Sequence, residues 1–217
     1  MNKAIAVMAL SIIFTGAIGL SQAAGNARAG KTKTTSCAGC HGDDGNSIAP
    51  IFPKLAGQHA SYLAKQLYDF KNHSRGNQSM EAIAAPLSDQ DIEDIGAFYA
   101  TQKISFQNKD GDRYLDADKE VQVTEELSNA GKTLYLSGNA ETGVPACNAC
   151  HGPTGAGNAP AGFPALKGQF GAYAAKTLSD YKSGARTSDP ESMMQTIAKR
   201  MTENEINAVS AHIANLR

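Results

Sequence analysis

The feature that most constrains this chain is a five-residue pattern that occurs twice. Residues 37–41 read CAGCH and residues 147–151 read CNACH, and these two stretches contain all four cysteines of the 217-residue chain. The segments that follow each stretch recur in the same order, with an FPxL and a GQ signature, a tyrosine-bearing stretch and a methionine. Such self-similarity indicates a tandem duplication in which each half is one structural unit.

The duplication divides the chain into four segments. We predict, in chain order, a signal peptide at 1–23, an N-terminal domain at 24–100, a linker at 101–129 and a C-terminal domain at 130–217. Lys3 precedes an apolar run, and small residues follow it, which is typical of a secretory signal cleaved after Ala23 or Ala24. A retained membrane anchor is the alternative, because roughly 17 apolar residues lie at the lower limit for spanning a bilayer.

The spacing of apolar residues predicts helices in both halves. Apolar side chains recur at i, i+4 and i+7 after Ser61 and again after Gly171, so each half is expected to have a central amphipathic helix. Stretches around Gly30 and over residues 125–136 could supply a first helix in each half. The loops between helices are rich in glycine and proline and show no convincing strand alternation.

Two N-cap patterns predict a last helix in each half. Ser88 is followed by Asp91, and Thr202 is followed by Glu205, the spacing at which a hydroxyl and a carboxylate cap a helix start. We therefore predict an all-α protein with unusually long loops.

Charge excludes one class of partner and distinguishes the halves. The chain carries a formal net charge of −1, so it has no basic footprint for nucleic acid. The balance is −1 over 24–100, −3 over 101–129 and +2 over 130–217, a difference that a docking partner could recognise. The linker is expected to be solvated; its DGDRYLDAD stretch is no calcium loop, because Leu115 stands where that loop requires glycine.

Four interpretations of the CxxCH stretches compete. A disulfide within each CxxC gives no reason for the histidine, and a thioredoxin-like pair needs a strand-helix unit that this chain lacks. Zinc sites built from two such pairs usually close over roughly 15–20 residues, far less than the separation here. CxxCH is the attachment motif of c-type haem, and this interpretation uses every residue. We predict two haem c groups, held by Cys37, Cys40 and His41 and by Cys147, Cys150 and His151.

The sixth iron ligand is expected to be a methionine in each half. A methionine opposite the histidine raises the reduction potential of the iron, as in electron-carrying cytochromes c. Met80 lies seven residues before Leu87, and Met194 lies seven residues before Met201, so the repeat favours Met80 and Met194. The neighbouring Met193 is the alternative in the second half, and Met201, which matches a leucine, is expected in the core.

The remaining histidines and two prolines have other expected roles. His59, His73 and His212 have no ligating counterpart in the other half, so we expect them at the surface or at an edge. A metal-ligating histidine usually gives its other ring N–H to a carbonyl. Pro50 and Pro160, each nine residues after a ligand histidine, are candidate holders of that carbonyl, or they merely shape turns.

These features together resemble the dihaem cytochrome c4 family. In each half a CxxCH is followed by AP, FPxL and GQ, then a YLAKQL-type helix, a methionine and an LSDQDI-type helix. The resemblance implies two class I cytochrome c folds, each around one covalent haem and related by a pseudo-twofold axis. Carried over by position, the axial ligands fall on His41 and Met80, and on His151 and Met194.

The resemblance also implies a function. It indicates a high-potential periplasmic electron carrier that is not an enzyme, either soluble or loosely associated with the membrane. Its partners would be a respiratory terminal oxidase and a quinol-oxidising complex or another donor. The alternatives are the haem subunit of a dehydrogenase complex and a dihaem peroxidase, although no further histidine, arginine or carboxylate constellation recurs near either methionine.

Overall fold

The protein is described here by a computed structural model of residues 25–106, 114–116 and 121–217, so the predicted signal peptide lies outside the described residues. The helices of the first half are α1 (Ala27–Lys33), α2 (Thr35–His41), α3 (Ala60–Lys71), α4 (Gln78–Ala84) and α5 (Asp89–Ala100). Those of the second half are α6 (Glu125–Ser137), α7 (Asn148–His151), α8 (Gly171–Ser183), α9 (Met193–Arg200) and α10 (Glu203–Asn215). Within these segments, no helix combines the length and the apolar character needed to cross a bilayer.

Each half is organised by the close packing of its first helix against its last. A Cβ added at Gly30 of α1 would lie 2.0 Å from the carbonyl oxygen of Asp94 in α5. The equivalent atom at Gly131 of α6 would lie 1.8 Å from the carbonyl oxygen of Ala208 in α10. Only glycine allows backbones to approach so closely, and the same solution appears in both halves.

The predicted last helices are confirmed, and both begin with a capping box. The Ser88 hydroxyl accepts a hydrogen bond from the Asp91 N–H at 3.2 Å, and the Ser88 N–H donates to the Asp91 carboxylate at 2.9 Å. Thr202 and Glu205 form the same pair of bonds at 3.2 and 2.7 Å. Reciprocal bonds of this kind satisfy backbone N–H groups that a helix start leaves without partners.

Each half has its own hydrophobic core. The first is formed by buried residues of α3 and α5, among them Leu63, Ile95 and Phe98. The second core is larger and includes Tyr135 of α6 and Met201. Met201 is 2% exposed, which confirms the core position expected from its match to a leucine in the first half. Two separate cores indicate two domains in one chain.

The segment between the domains differs from the expected solvated linker. Leu115 is 4% exposed and packs in the second core; it belongs to β1 (Tyr114–Asp116), which pairs antiparallel with β2 (Val121–Gln122). Ile104 and Phe106 lie against the space beside Gly168 of the second domain. Ile104, Phe106 and Leu115 therefore contact the second domain, and α6 begins inside the range predicted as linker.

Candidate haem-binding sites

The first CxxCH stretch ends a short helix on a buried histidine. Residues 35–41 form α2, and Gly42, with a φ of 80°, ends it directly after His41. His41 is 6% exposed, and its Nδ1 lies 2.8 Å from the carbonyl oxygen of Pro53. A carbonyl oxygen can only accept, so Nδ1 carries the proton and Nε2 keeps a free lone pair for a metal.

The second CxxCH stretch repeats this geometry. His151 ends α7, is 8% exposed and donates from Nδ1 to the carbonyl oxygen of Pro164 at 2.9 Å. Of the two interpretations of Pro50 and Pro160, the one in which they hold these carbonyls is therefore wrong. The loop folds back further along the chain, so that the proline of the FPxL signature reaches the ring in each half.

The FPxL signature has a second role in holding the histidine. The rings of Phe52 and His41 are 6.1 Å apart, and those of Phe163 and His151 are 6.3 Å apart, both in inclined arrangements. The carbonyl of Gly45 accepts hydrogen bonds from the backbone N–H groups of Leu55 and Ala56, which closes the loop. The recurrence of FP in both halves was the available signal for these residues.

Burial sets the charge state of both histidines. Desolvation lowers the pKa of His41 and of His151, and the hydrogen bond to the proline carbonyl opposes this shift without reversing it. Both rings are therefore favoured in the neutral form, which is the form that ligates a metal.

The cysteines lack the features that the other uses of CxxC require. All four are free, so neither motif contains a disulfide. Burial raises the pKa of Cys37 and raises that of Cys147 to about 11, whereas reactive redox thiols have a lowered pKa. Across the described ranges, no three histidine, cysteine or acidic side chains converge as a zinc site would require.

The candidate methionines lie at the starts of short helices. Met80 is partly buried in α4, where its N–H donates to the Asn77 side chain at 3.0 Å. In the second half, Met194 is partly buried while Met193 is 38% exposed, which favours Met194 as the inward-facing residue of the pair.

The extra residues before the second methionine form a strained turn. Pro190–Ser192 is a 3-10 turn in which Glu191 and Ser192 have φ values of 51° and 53°, a region that few residues other than glycine adopt. Asp189 fixes the start of α9, because its carboxylate accepts from both the N–H and the side-chain amide of Gln195 at 3.1 and 2.8 Å. The two methionines are thus presented by different local structures.

The other three histidines are not gathered at either CxxCH motif. His73 is exposed and lies 3.0 Å from Glu81. His59 immediately precedes α3 and makes no side-chain hydrogen bond to its first turn, and His212 is partly buried with its ring 5.2 Å from that of Tyr135. Their positions agree with the surface or edge roles expected for them.

A network of polar side chains crosses between the domains. Gln66 accepts hydrogen bonds from both Arg75 and Arg186, each at 2.7 Å. Arg75 of the first domain also donates to Tyr173 of the second at 3.1 Å, and Arg186 of the second donates to Tyr62 of the first at 3.2 Å. The paired contacts follow a pseudo-twofold relation. Among the described residues, neither guanidinium forms an ion pair.

Comparisons with known proteins agree with this geometry. The cytochrome c family model matches residues 27–103 and 128–217. The chain is 42% identical to cytochrome c4 of Pseudomonas aeruginosa over the full length of both, and 37% identical to a thiosulfate dehydrogenase electron acceptor of Stutzerimonas stutzeri, covering 83% of this chain and 78% of the relative. The crystal structure of reduced recombinant cytochrome c4 from Pseudomonas stutzeri superposes with a TM-score of 0.78 at 42% identity, covering 89% of this chain and all of the other.

The matches span both halves, and each half contains a buried histidine directly after a free CxxC pair. Two tandem cytochrome c domains of this kind bind two covalently attached haem c groups. The chain belongs to the dihaem cytochrome c4 family.

Proposed function

We propose that the protein is a periplasmic electron carrier of a respiratory chain that makes and breaks no substrate bonds. One observation supports this proposal most. Each of two domains that share an interface contains the same candidate iron ligand, a buried neutral histidine that donates to a proline carbonyl. Each bound haem would supply a single-electron couple, which is what an electron carrier needs.

The residues of this chain fit the two groups. Cys37 and Cys40 in the first domain, and Cys147 and Cys150 in the second, would form the thioethers. His41 and His151 would present Nε2 to the irons, with Met80 and Met194 as the opposite ligands. A methionine sulfur in that position keeps the potential high and leaves no coordination position for a small-molecule substrate.

The interface arginines supply a further element of fit. Arg186 is 4% exposed, and its Nε has no hydrogen-bond partner among the residues that the structure describes. A buried cation that lacks an anion is costly, and haem c carries carboxylates that would meet this need. We therefore assign Arg186 and its counterpart Arg75 to the haem carboxylates.

The partners are redox proteins, and we propose a terminal oxidase as the acceptor. The two domains carry different net charges, so donor and acceptor are expected to prefer different ends of the molecule. Reversing surface charges on one domain should change the ionic-strength dependence of reduction or of oxidation, but not of both.

A second candidate function has a specific observation in its favour. One relative is a thiosulfate dehydrogenase electron acceptor, so this chain could accept electrons directly from a dehydrogenase as a dedicated partner. Such a role changes the donor and keeps the same two haem sites.

Stopped-flow kinetics with purified partners tests the proposal. The reduced protein should be oxidised by a terminal oxidase within milliseconds to seconds, and a matched mixture without the oxidase should stay reduced in air. Reduction by thiosulfate dehydrogenase plus thiosulfate, with no oxidation by the oxidase, would favour the second candidate. Rapid turnover of peroxide by the protein alone would contradict the carrier role.

A further inference from the structure

One peptide group in each domain bonds both to the histidine of its own domain and to a glutamine of the other domain. The carbonyl of the Pro53–Lys54 peptide accepts from His41 Nδ1, as described above. The N–H of that same peptide donates to the side-chain oxygen of Gln169 in the other domain at 3.0 Å, and the Gln169 amide donates back to the Lys54 carbonyl, also at 3.0 Å.

The second domain contains the equivalent arrangement. The carbonyl of the Pro164–Ala165 peptide accepts from His151, and its N–H donates to the side-chain oxygen of Gln58 in the first domain at 2.9 Å. The Gln58 amide donates to the Ala165 carbonyl at 2.9 Å. Each glutamine of the GQ signature therefore forms hydrogen bonds with the loop that holds the histidine of the opposite domain.

Each glutamine is itself fixed in place. The Gln58 oxygen also accepts from the N–H of His59 at 3.0 Å, and the Gln169 oxygen accepts from the N–H of Phe170 at 3.0 Å. Gln58 is 9% exposed, so water competes little for its bonds. Both side chains are thus held by the residue that immediately precedes their own domain's central helix, while they reach across the interface.

We propose that each glutamine is a positioning residue for the iron ligand of the opposite domain: Gln58 for His151, and Gln169 for His41. Consecutive hydrogen bonds polarise one another. When the glutamine oxygen accepts from the peptide N–H, the carbonyl of the same peptide becomes a stronger acceptor for the histidine N–H. The histidine then becomes a more basic ligand, which stabilises the ferric iron and lowers its potential. The inference rests on the proposed ligation of the irons by His41 and His151.

The test is a crossed pair of substitutions in the full-length holoprotein. Gln58→Met keeps the side-chain length but removes the bonds, and it should raise the potential of the C-terminal haem alone. Gln169→Met should raise the potential of the N-terminal haem alone. The expected change is on the order of twofold in the electron-exchange equilibrium between the haems, about 18 mV for a single-electron couple.

Two readouts follow each haem separately. Proton NMR during a redox titration gives the order in which the two sets of hyperfine-shifted haem signals change. In the reduced, diamagnetic protein, the Nδ1–H signal of the histidine in the opposite domain should move upfield as its hydrogen bond weakens. Gln102→Met is the matched control, because Gln102 is a partly buried glutamine that bonds backbone within its own domain, and it should move neither potential.

The outcomes separate this inference from the proposed function. A shift confined to the opposite haem supports it. A shift of the haem in the same domain, an equal shift of both haems or no shift would overturn it. Wild-type spectra that show histidine and methionine ligation at both irons would in those cases leave the carrier function standing.

Discussion

The contact between the first and last helices of each domain gives a prediction that can be worked from distances. Replacing Gly131 by alanine would place a Cβ 1.8 Å from the carbonyl oxygen of Ala208. Cβ atoms in proteins almost never lie closer than 3.0 Å to such an atom, so the two groups would have to separate by about 1.2 Å. The obstacle is backbone on a packed helix, so α6 and α10 must move apart.

The size of the effect follows from two opposing contributions. Overpacking a core costs about 1–3 kcal/mol, and backbone obstruction places this case at the upper end. Alanine favours a helix over glycine by about 1 kcal/mol, so the net loss of unfolding free energy should be about 2 kcal/mol. For a domain of this size that lowers Tm by about 10 °C.

Differential scanning calorimetry of the oxidised holoprotein would measure this loss. Gly131→Ala should lower the transition of the C-terminal domain, and Gly30→Ala should lower that of the N-terminal domain. Gly39→Ala is the control: Gly39 is helical, a Cβ there meets nothing within 4 Å, and the second motif already has Ala149 at this position. An unchanged Tm for Gly131→Ala beside a normal control would refute the packing argument.

Three further predictions concern charge, the interface and the ligands. Hydrogen bonds from Lys33 and then from Ser88 lower the pKa of Asp91 to about 2, so the stabilisation that this carboxylate contributes is complete above the unfolded pKa of 3.8 and is lost as pH falls through about 2. Lys33→Met, which removes the ion pairs with Asp91 and Asp94, should therefore destabilise the protein at pH 6 and have little effect at pH 2, as measured by denaturant titration at each pH. Gln66→Leu leaves two guanidiniums without their shared acceptor and should cost about 3 kcal/mol, seen as separation of the two domain transitions in calorimetry. Met194→Leu should remove the far-red absorption of one ferric haem, whereas Met193→Leu should leave the spectrum unchanged; the reverse result would move the ligand to Met193.

The sequence predicted those parts of the structure that depend on local patterns. The capping boxes at Ser88 and Thr202 depend on residues three positions apart, and both last helices begin there. The central helices and the core position of Met201 also follow from short-range spacing and from the repeat.

The parts that were missed depend on how distant segments meet. Counting along the loop pointed to Pro50 and Pro160, but the fold-back of the loop decides which carbonyl reaches each histidine. Leu115 is an isolated apolar residue in a polar stretch, and only the packing of β1 against the second domain explains its burial. The glutamine contacts join residues more than 100 positions apart, and no local pattern reports them.

A potentiometric titration of the purified wild-type protein, monitored by absorption spectroscopy, would show whether the chain carries two histidine- and methionine-ligated haems. We expect two covalent, low-spin haems per chain, both with the far-red band of methionine-ligated ferric iron, and two single-electron steps at high potential. A single haem, a high-spin ferric spectrum or a low-potential step would contradict it.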